Sequence, residues 1–539
     1  MPKHGRTMAG GSRGGRVWPF APVALALASV LDPLSRNLHL AAWEDAGPAF
    51  AAGVAAALAI WLIVVRLRGR ADAGAALIAS VWTAGSLHYL EIFRRLNDAI
   101  GGDYSQLRAL PFALAIMVGL TLALRGTRGW HGFAHVVVAC VAAAVVIGPT
   151  WRAAAFEWRH MGSRSVWDGA RAFSEEPGLA AAAAPAGELP DIYDFVFDRY
   201  GSEETLAGAF GVDDAAGAYL EGQGFYVARD SFANYVSTGL SLASTFNMRH
   251  LDAVAADPRA SGGDWRPLFA MIDDSVVGRY LRGLGYDQRQ YGSWWVGTHH
   301  NPNAAVNRPM GLSEFGMAWL RRSIALPLTH LFPGSRAAML LSWDNGQCQR
   351  VARQVEEIKG LRRDGRPLYV FAHFLLPHGP FPFTADGECL GWREAAARGD
   401  QRGYAEQAEY AAAVIRELTG ALLAPGRPPA VILIHADEGP IPEREKGVPW
   451  QDASPEELRV KFGILQAARF PGGDYRRMRQ DLSPVNLYRA MLATEFGLDL
   501  PDLPDGIYVF PDSFSIYDLR DVTSRVRCGA PEGGGDPGC

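Results

Sequence analysis

The chain reads as two parts in different solvents: an N-terminal α-helical membrane domain of about five spans, then an extracytoplasmic α/β domain with a largely parallel sheet. Three observations predict this. Apolar runs recur at about Val17–Leu31, Gly47–Val65, Ala73–Phe93, Ala109–Leu124 and His131–Trp151, most of them near the ~20 residues that a bilayer requires. The charge balance is +7 up to His160 and −12 after it, within the overall −5. Beyond about Leu189, short apolar segments of strand length (Ile192–Phe197, Leu368–Phe374, Ala430–Ile434) alternate with stretches of helical period such as Tyr404–Leu423.

The first run is short and stops at Asp32-Pro33 behind Arg13 and Arg16, so a cleaved signal peptide is the alternative to a first span. Basic residues near membrane ends stay in the cytoplasm. Lys3, Arg6, Arg13 and Arg16, then Arg66, Arg68 and Arg70, then Arg125 and Arg128 fall on one side, against Glu44, Asp45, Asp98 and Asp103 on the other. Arg94, Arg95 and Arg108 weaken the second of the outer connections. An odd number of spans then places everything after Trp151 outside the cytoplasm of a bacterial cell. The expected organisation is a membrane domain over 1–160, a linker over 161–188 containing the Ala/Pro/Gly-rich stretch before Pro190, a catalytic-type domain over 189–525, and a Gly-rich tail over 526–539.

Cys140 lies in the fifth span, leaving Cys348, Cys389, Cys528 and Cys539, an even number that suits an oxidising compartment. Of the three connectivities, Cys348 with Cys389 and Cys528 with Cys539 is preferred, and free thiols are the alternative. No spacing matches a zinc knuckle or a redox pair.

Within the outer domain, three segments offer the parts of one metal-dependent phosphoryl-transfer site. Asp198 follows the apolar run IYDFVF, at the carboxyl end of a buried strand, where open α/β sheets bind ligands. Thr238 precedes Leu240–Phe246 and opens a helix whose free N–H groups favour a phosphate or alkoxide; its hydroxyl needs a metal or base before it is a nucleophile. Asp437 and Glu438 leave the run Val431–Ile434 before Gly439-Pro440, and two adjacent buried carboxylates call for a cation. The simpler alternatives are a helix cap or surface pair for Asp198, an ordinary N-cap at Thr238, and a solvated turn at Asp437-Glu438. Converging, Asp198, Thr238, Asp437 and Glu438 present oxygen ligands only, so one divalent metal is expected, Mn or Mg over Zn.

FAHFLLPHGPF supplies His373, expected to be mostly structural in its strand, and His378, expected in an exposed loop as a contact to substrate phosphate or leaving group. His435 shares a strand face with Asp437 and is expected to be structural. GSWWVGTHHNP adds Trp294, His299 and His300 as candidate lining of a substrate groove.

Together PDIYDFVFDRYG, NYVSTGLSLASTFNM, FAHFLLPHGPF, HADEGP and KFGILQAARFPG resemble a membrane-anchored branch of the alkaline phosphatase and sulfatase-like superfamily, the one with lipoteichoic acid synthases and phosphoethanolamine transferases. The resemblance covers about Leu189 to Thr523, and the membrane region matches in layout only. It implies an alkaline-phosphatase-like fold, Asp198 and Asp437 as metal ligands, Thr238 as the nucleophile that also binds metal, and His378 on the substrate. The family usually places histidine after the terminal aspartate, where this chain has Glu438. STGLS around Thr238 lacks the CxPxR-type motif of true sulfatases, so sulfate ester hydrolysis is not expected.

The expected activity is therefore metal-dependent phosphoryl-type transfer, or phosphodiester hydrolysis if water is the acceptor. The expected partners are a membrane lipid or lipid-linked donor and an envelope glycan or lipid acceptor. Glu438 motivates the alternative, a non-catalytic membrane scaffold or binding module of envelope assembly. An acidic outer domain without a basic stripe argues against nucleic acid, and few intramembrane charges argue against a transporter.

Overall fold

The computed structural model describes residues 17–99, 105–126, 129–180, 187–213, 215–445 and 447–528. The expected tail, apart from its first three residues, lies outside them. The chain forms two compact units: residues 1–157 with 315–341, and residues 158–314 with 342–539. The segment 315–341, which the sequence places inside the outer domain, thus belongs with the N-terminal helices.

The first unit is helical: α1 (Phe20–Arg36), α2 (Trp43–Arg68), α3 (Ala73–Leu87), α4 (Tyr89–Ala99), α5 (Gln106–Gly126) and α6 (His131–Arg159). Among the described residues three helices are long and apolar enough to cross a membrane: α2, α5 and the one that begins at His131. α1 has 17 residues and α3 has 15, shorter than the others. The expected third run is broken at His88, whose Nε2 lies 2.8 Å from the Leu25 carbonyl, and continues as the amphipathic α4. This break explains the basic residues Arg94 and Arg95, which lie on an amphipathic helix rather than at the end of a span.

In the second unit seven strands form one sheet: β1 (Asp191–Phe197), β2 (Tyr226–Val227), β3 (Asp287–Tyr291), β4 (Val306–Asn307), β5 (Leu368–Phe374), β6 (Ala430–His435) and β7 (Gln466–Arg469), in the order β2-β7-β6-β1-β5-β3-β4. Pairing is parallel from β6 through β1, β5 and β3 to β4, and antiparallel at β6-β7 and β7-β2. The central parallel strands β1, β5 and β6 are largely apolar because both faces are covered, whereas β3 (DQRQY) is polar. Period two divides them: Tyr193, Phe195, Phe197, Val370, Ala372, Ile432 and Ile434 pack on one face with the helices Gln347–Gly360 and Trp392–Leu422. Ile192, Val196, Tyr369, Phe371, Val431 and Leu433 pack on the other with Thr238–Asn247 and Pro484–Phe496.

This alternation positions the site. Residues 194 and 196 in β1, 369, 371 and 373 in β5, and 433 and 435 in β6 share the face that carries the Thr238 helix, and Asp198 and Asp437 stand just beyond the ends of β1 and β6. β1 lies between β5 and β6, so the two strands that flank it deliver their carboxyl ends to the same place. Below it, Asp194 is fully buried and satisfied by His435 Nε2 at 2.9 Å and the Tyr488 hydroxyl at 2.6 Å, which gives His435 the structural role expected of it.

Cys348 and Cys389 form a disulfide across 41 residues, one of the two preferred pairs. The other pair lies outside the described residues because Cys539 does. Closing a loop of this length restricts the unfolded chain by about 4 kcal/mol. Replacing both cysteines with serine is expected to lower the unfolding free energy of the second unit by roughly 2–4 kcal/mol, read from the denaturant midpoint of tryptophan fluorescence.

Candidate metal centre

Asp198, the first residue after β1, is buried, and its amide donates to the Phe374 carbonyl at 2.9 Å, so β5 fixes where the strand ends. Arg199 then takes a left-handed conformation, φ 66°, that a non-glycine residue adopts only when held. It is held on both sides. The Tyr404 hydroxyl donates to its carbonyl at 2.8 Å, and its amide donates to Asp437 Oδ1 at 3.2 Å. The tight turn swings the guanidinium back over the site.

One ligand atom each of Asp198, His373 and Asp437 lies within 4.8 Å of the others, and all three residues are buried. His373 Nε2 is 3.3 Å from Asp198 Oδ2. Asp198 Oδ1 and Asp437 Oδ2 are buried with no hydrogen-bond partner. Orphaned carboxylate oxygens facing an imidazole nitrogen are costly in a protein interior unless a cation fills the gap, so the residues fit a divalent metal. Thr238 stands close enough to Asp437 for its hydroxyl to favour the ionised carboxylate. Thr238 begins a ten-residue helix whose N-cap, Ser237, makes no side-chain cap, leaving the helix N-terminus open towards the cluster.

Glu438 is engaged differently. Oε1 accepts from Arg199 Nε at 2.7 Å, and Oε2 lies 2.9 Å from Lys461 Nζ, with the glutamate and lysine both buried. Gly439 is needed here because its amide bonds the Lys461 carbonyl at 2.8 Å and a Cβ would meet that carbonyl at 2.7 Å. Thus the loop bearing Asp437-Glu438 is sewn to the segment bearing Lys461. Once Asp437 is ionised, three carboxylates against Arg199 and Lys461 leave one negative charge, which a dication would turn into a single positive charge facing an anionic substrate.

His373 is the ligand-type residue that the sequence reading placed among the structural ones. Its strand position hid it, although period two puts it beside Asp198. Its Nδ1 is 2.8 Å from the Thr298 hydroxyl, itself 3.0 Å from Ser293 Oγ, so a polar chain from the 292–300 loop orients the ring. From that loop Trp295 stands edge-on to His373 at 6.2 Å and Trp294 edge-on to His378 at 6.1 Å. His299 turns its Nδ1 to the Ser293 carbonyl at 2.8 Å, and His300 is exposed; the loop meets the site through Trp294, Trp295 and Thr298. His378 directs Nδ1 to the Gly379 carbonyl and lines a cleft of about 1090 Å³ together with Arg199, Trp343, Phe381, Tyr404 and Trp450.

Burial alone would raise the Asp198 carboxyl, but His378, His373 and Arg199 outweigh it and hold the group well below the usual range. Asp437 moves the other way: burial and the charges of Asp198 and Glu438 push it up to about 7, against the pull of His373 and the Thr238 hydroxyl. Burial lowers Lys461 and His378, opposed by Glu438 and Asp198 respectively.

No family model and no curated protein matches this chain. Among solved structures it is similar to the C-terminal periplasmic domain of EcEptC from Escherichia coli in complex with zinc, at 11% identity over 63% of this chain and 95% of that one, TM-score 0.41. It is also similar to the integral membrane lipooligosaccharide phosphoethanolamine transferase A of Neisseria meningitidis (14%, 88% and 95%, TM-score 0.36) and to a phosphonate monoester hydrolase of Agrobacterium radiobacter (15%, 64% and 78%, TM-score 0.37). These likenesses are too distant to carry an argument about chemistry, which rests on the residues themselves.

The raised Asp437 has a consequence for stability. A carboxyl raised in the folded state above its unfolded value of about 4 contributes stability that is complete below that value and is lost as pH rises through about 7. The metal-free protein is therefore expected to lose stability between pH 5 and pH 8, and a divalent cation to restore more of it at pH 8 than at pH 5. Thermal unfolding with and without chelator checks this, and Asp437→Asn should remove both the slope and the response to metal.

Proposed function

We propose that the second unit is a metal-dependent phosphoryl-type transferase or phosphodiester hydrolase with Thr238 as its nucleophile. One observation carries the reading: Asp198, His373 and Asp437 form a buried group with orphaned carboxylate oxygens, and Thr238, at the uncapped start of a helix, stands beside its Asp437. These three and Thr238 would hold the metal. Glu438, already paired with Arg199 and Lys461, balances their charge and so holds both cations at the edge of the site. Because His373 adds a nitrogen donor to the oxygens counted from sequence, Mn or Zn suits this set better than Mg.

When bound, the cation lowers the pKa of the threonine hydroxyl and polarises a phosphoryl oxygen. Asp437, beside the hydroxyl, would orient it by accepting its hydrogen. The free N–H groups of the helix start and Arg199 face the equatorial oxygens of the phosphoryl group, where charge is carried during displacement. Thr238 Oγ forms the new bond to phosphorus as the bond to the donor's leaving oxygen breaks. In the second step an acceptor hydroxyl, or water, displaces Thr238 from phosphorus. His378, with Nδ1–H directed at the Gly379 carbonyl, presents an Nε2 lone pair to take the acceptor's proton. The cleft lined by His378 and aromatic side chains is where that acceptor binds, an envelope glycan or lipid.

Among the described residues three helices able to cross a membrane precede the second unit, and a disulfide within it suits an oxidising space; both support a site outside the cytoplasm with a membrane lipid or lipid-linked donor at hand.

Thr238→Ala is expected to lower metal-stimulated cleavage of a bis-(p-nitrophenyl) phosphate probe by at least about 10³-fold and to abolish a phospho-threonine intermediate trapped by acid quench. Retained turnover would sink the nucleophile assignment. The absence of bound metal and of any hydrolysis in the unaltered protein would favour the scaffold reading.

A further inference from the structure

Residues 315–341 begin where the chain leaves the sheet domain after Glu314 and end where it returns at Ser342, yet they fold with the N-terminal helices. Their root is fixed. The Trp319 indole is buried among Val30, Leu34, Ala49 and Ala153, and its Nε1 donates to Ser29 Oγ at 3.2 Å. Gly53 lets the indole close on α2, since a Cβ there would lie 3.4 Å from it. Backbone bonds from Leu90 to the Arg322 carbonyl at 2.9 Å and from Ile324 to the Ser86 carbonyl at 2.7 Å add two stitches, and Arg322 lies 3.8 Å from Glu91.

Apart from Ser29, Val30 and Gly53, which lie mid-helix, these contacts fall at the same end of the helices. Leu34 is near the end of α1, Ala49 near the start of α2, Ser86 at the end of α3, and Ala153 near the end of α6. Helices that alternate in direction put these termini on one side, the side from which α6 continues into the second unit. The segment therefore lies at the level of a membrane interface on the outer side.

Its outward face does not suit water. After Trp319 the short helices Ala325–Thr329 and Arg336–Leu340 flank a tip at which Leu331 is 55% and Phe332 66% exposed, with Met339 at 37%. From 315 to 341 the sequence holds three arginines and no aspartate or glutamate, in a chain of net charge −5. Arg336 and His330 are exposed beside the apolar tip. An apolar tip flanked by arginine, with no acidic residue, is the composition of a segment that lies in a lipid headgroup boundary.

We propose that residues 315–341 are an interfacial membrane anchor, sinking Leu331 and Phe332 into the outer leaflet and setting Arg336 among the phosphates of anionic lipids. The sheet domain is then attached to the membrane unit by three chain passages, at 157–158, 314–315 and 341–342, instead of one.

The test uses the full chain with Cys140→Ala, carrying Phe332→Cys labelled with a nitroxide without reductant, so that Cys348–Cys389 stays closed. It is placed in nanodiscs of phosphatidylcholine with phosphatidylglycerol. The expected result is an oxygen-to-nickel-chelate accessibility ratio several-fold above that of the same label at Glu409→Cys, an exposed position of the second unit. Equal ratios at the two positions overturn the proposal. A label shielded from both reagents in proportion to the protein-to-lipid ratio also overturns it, because a second copy then covers the tip. Immersion should become shallower when phosphatidylglycerol is omitted or with Arg336→Gln; depth unchanged by both overturns the assignment to anionic lipid.

Discussion

Asp198, Asp437 and Glu438 are buried together at the carboxyl ends of two neighbouring strands, and their mutual repulsion in a medium of low dielectric is the constraint around which the second unit is organised. The fold meets it in three ways. Arg199 and Lys461 neutralise Glu438, one held by a left-handed turn and the other by the bond between the Gly439 amide and its carbonyl. Burial beside Asp198 and Glu438 keeps the proton on Asp437 up to about 7. Above that pH one negative charge remains, and the orphaned oxygens of Asp198 and Asp437 are where a cation would meet it.

This arrangement makes the glutamate at 438 intelligible. Where the resembling family has histidine, a carboxylate would add negative charge to a site already crowded with it, but the two buried cations offset it through short ion pairs. Such pairs are strongly destabilised when one partner is lost. Arg199 and Lys461 are therefore tied to Glu438, while His373, hydrogen-bonded to Thr298, brings an imidazole to Asp198 from the neighbouring strand.

Much of the fold was legible in advance because it rests on local pattern. The strands at 192, 368 and 430 were visible as short apolar runs, and all three became central members of a sheet covered on both faces. Asp198, Thr238 and Asp437 were legible because each stands at a strand end or a helix start, and three such termini converge where the strands finish. His373 was not, since an imidazole inside an apolar strand looks like any satisfied core histidine. His299 and His300 drew attention by type, whereas their neighbours Trp294, Trp295 and Thr298 make the contacts, because a short helix at Val296–His299 turns the loop's other side inward.

Composition and periodicity alone determined that the chain has an apolar helical part and an α/β part, and which carboxylates stand at the ends of strands. Both are properties of neighbours in sequence. Tertiary structure decided that Glu438 answers Arg199 and Lys461, that His373 faces Asp198, and that residues 315–341 belong with the helices at the other end of the chain. These depend on pairing across strands and on packing between segments hundreds of residues apart, and no local pattern encodes which distant charge or surface a side chain will meet.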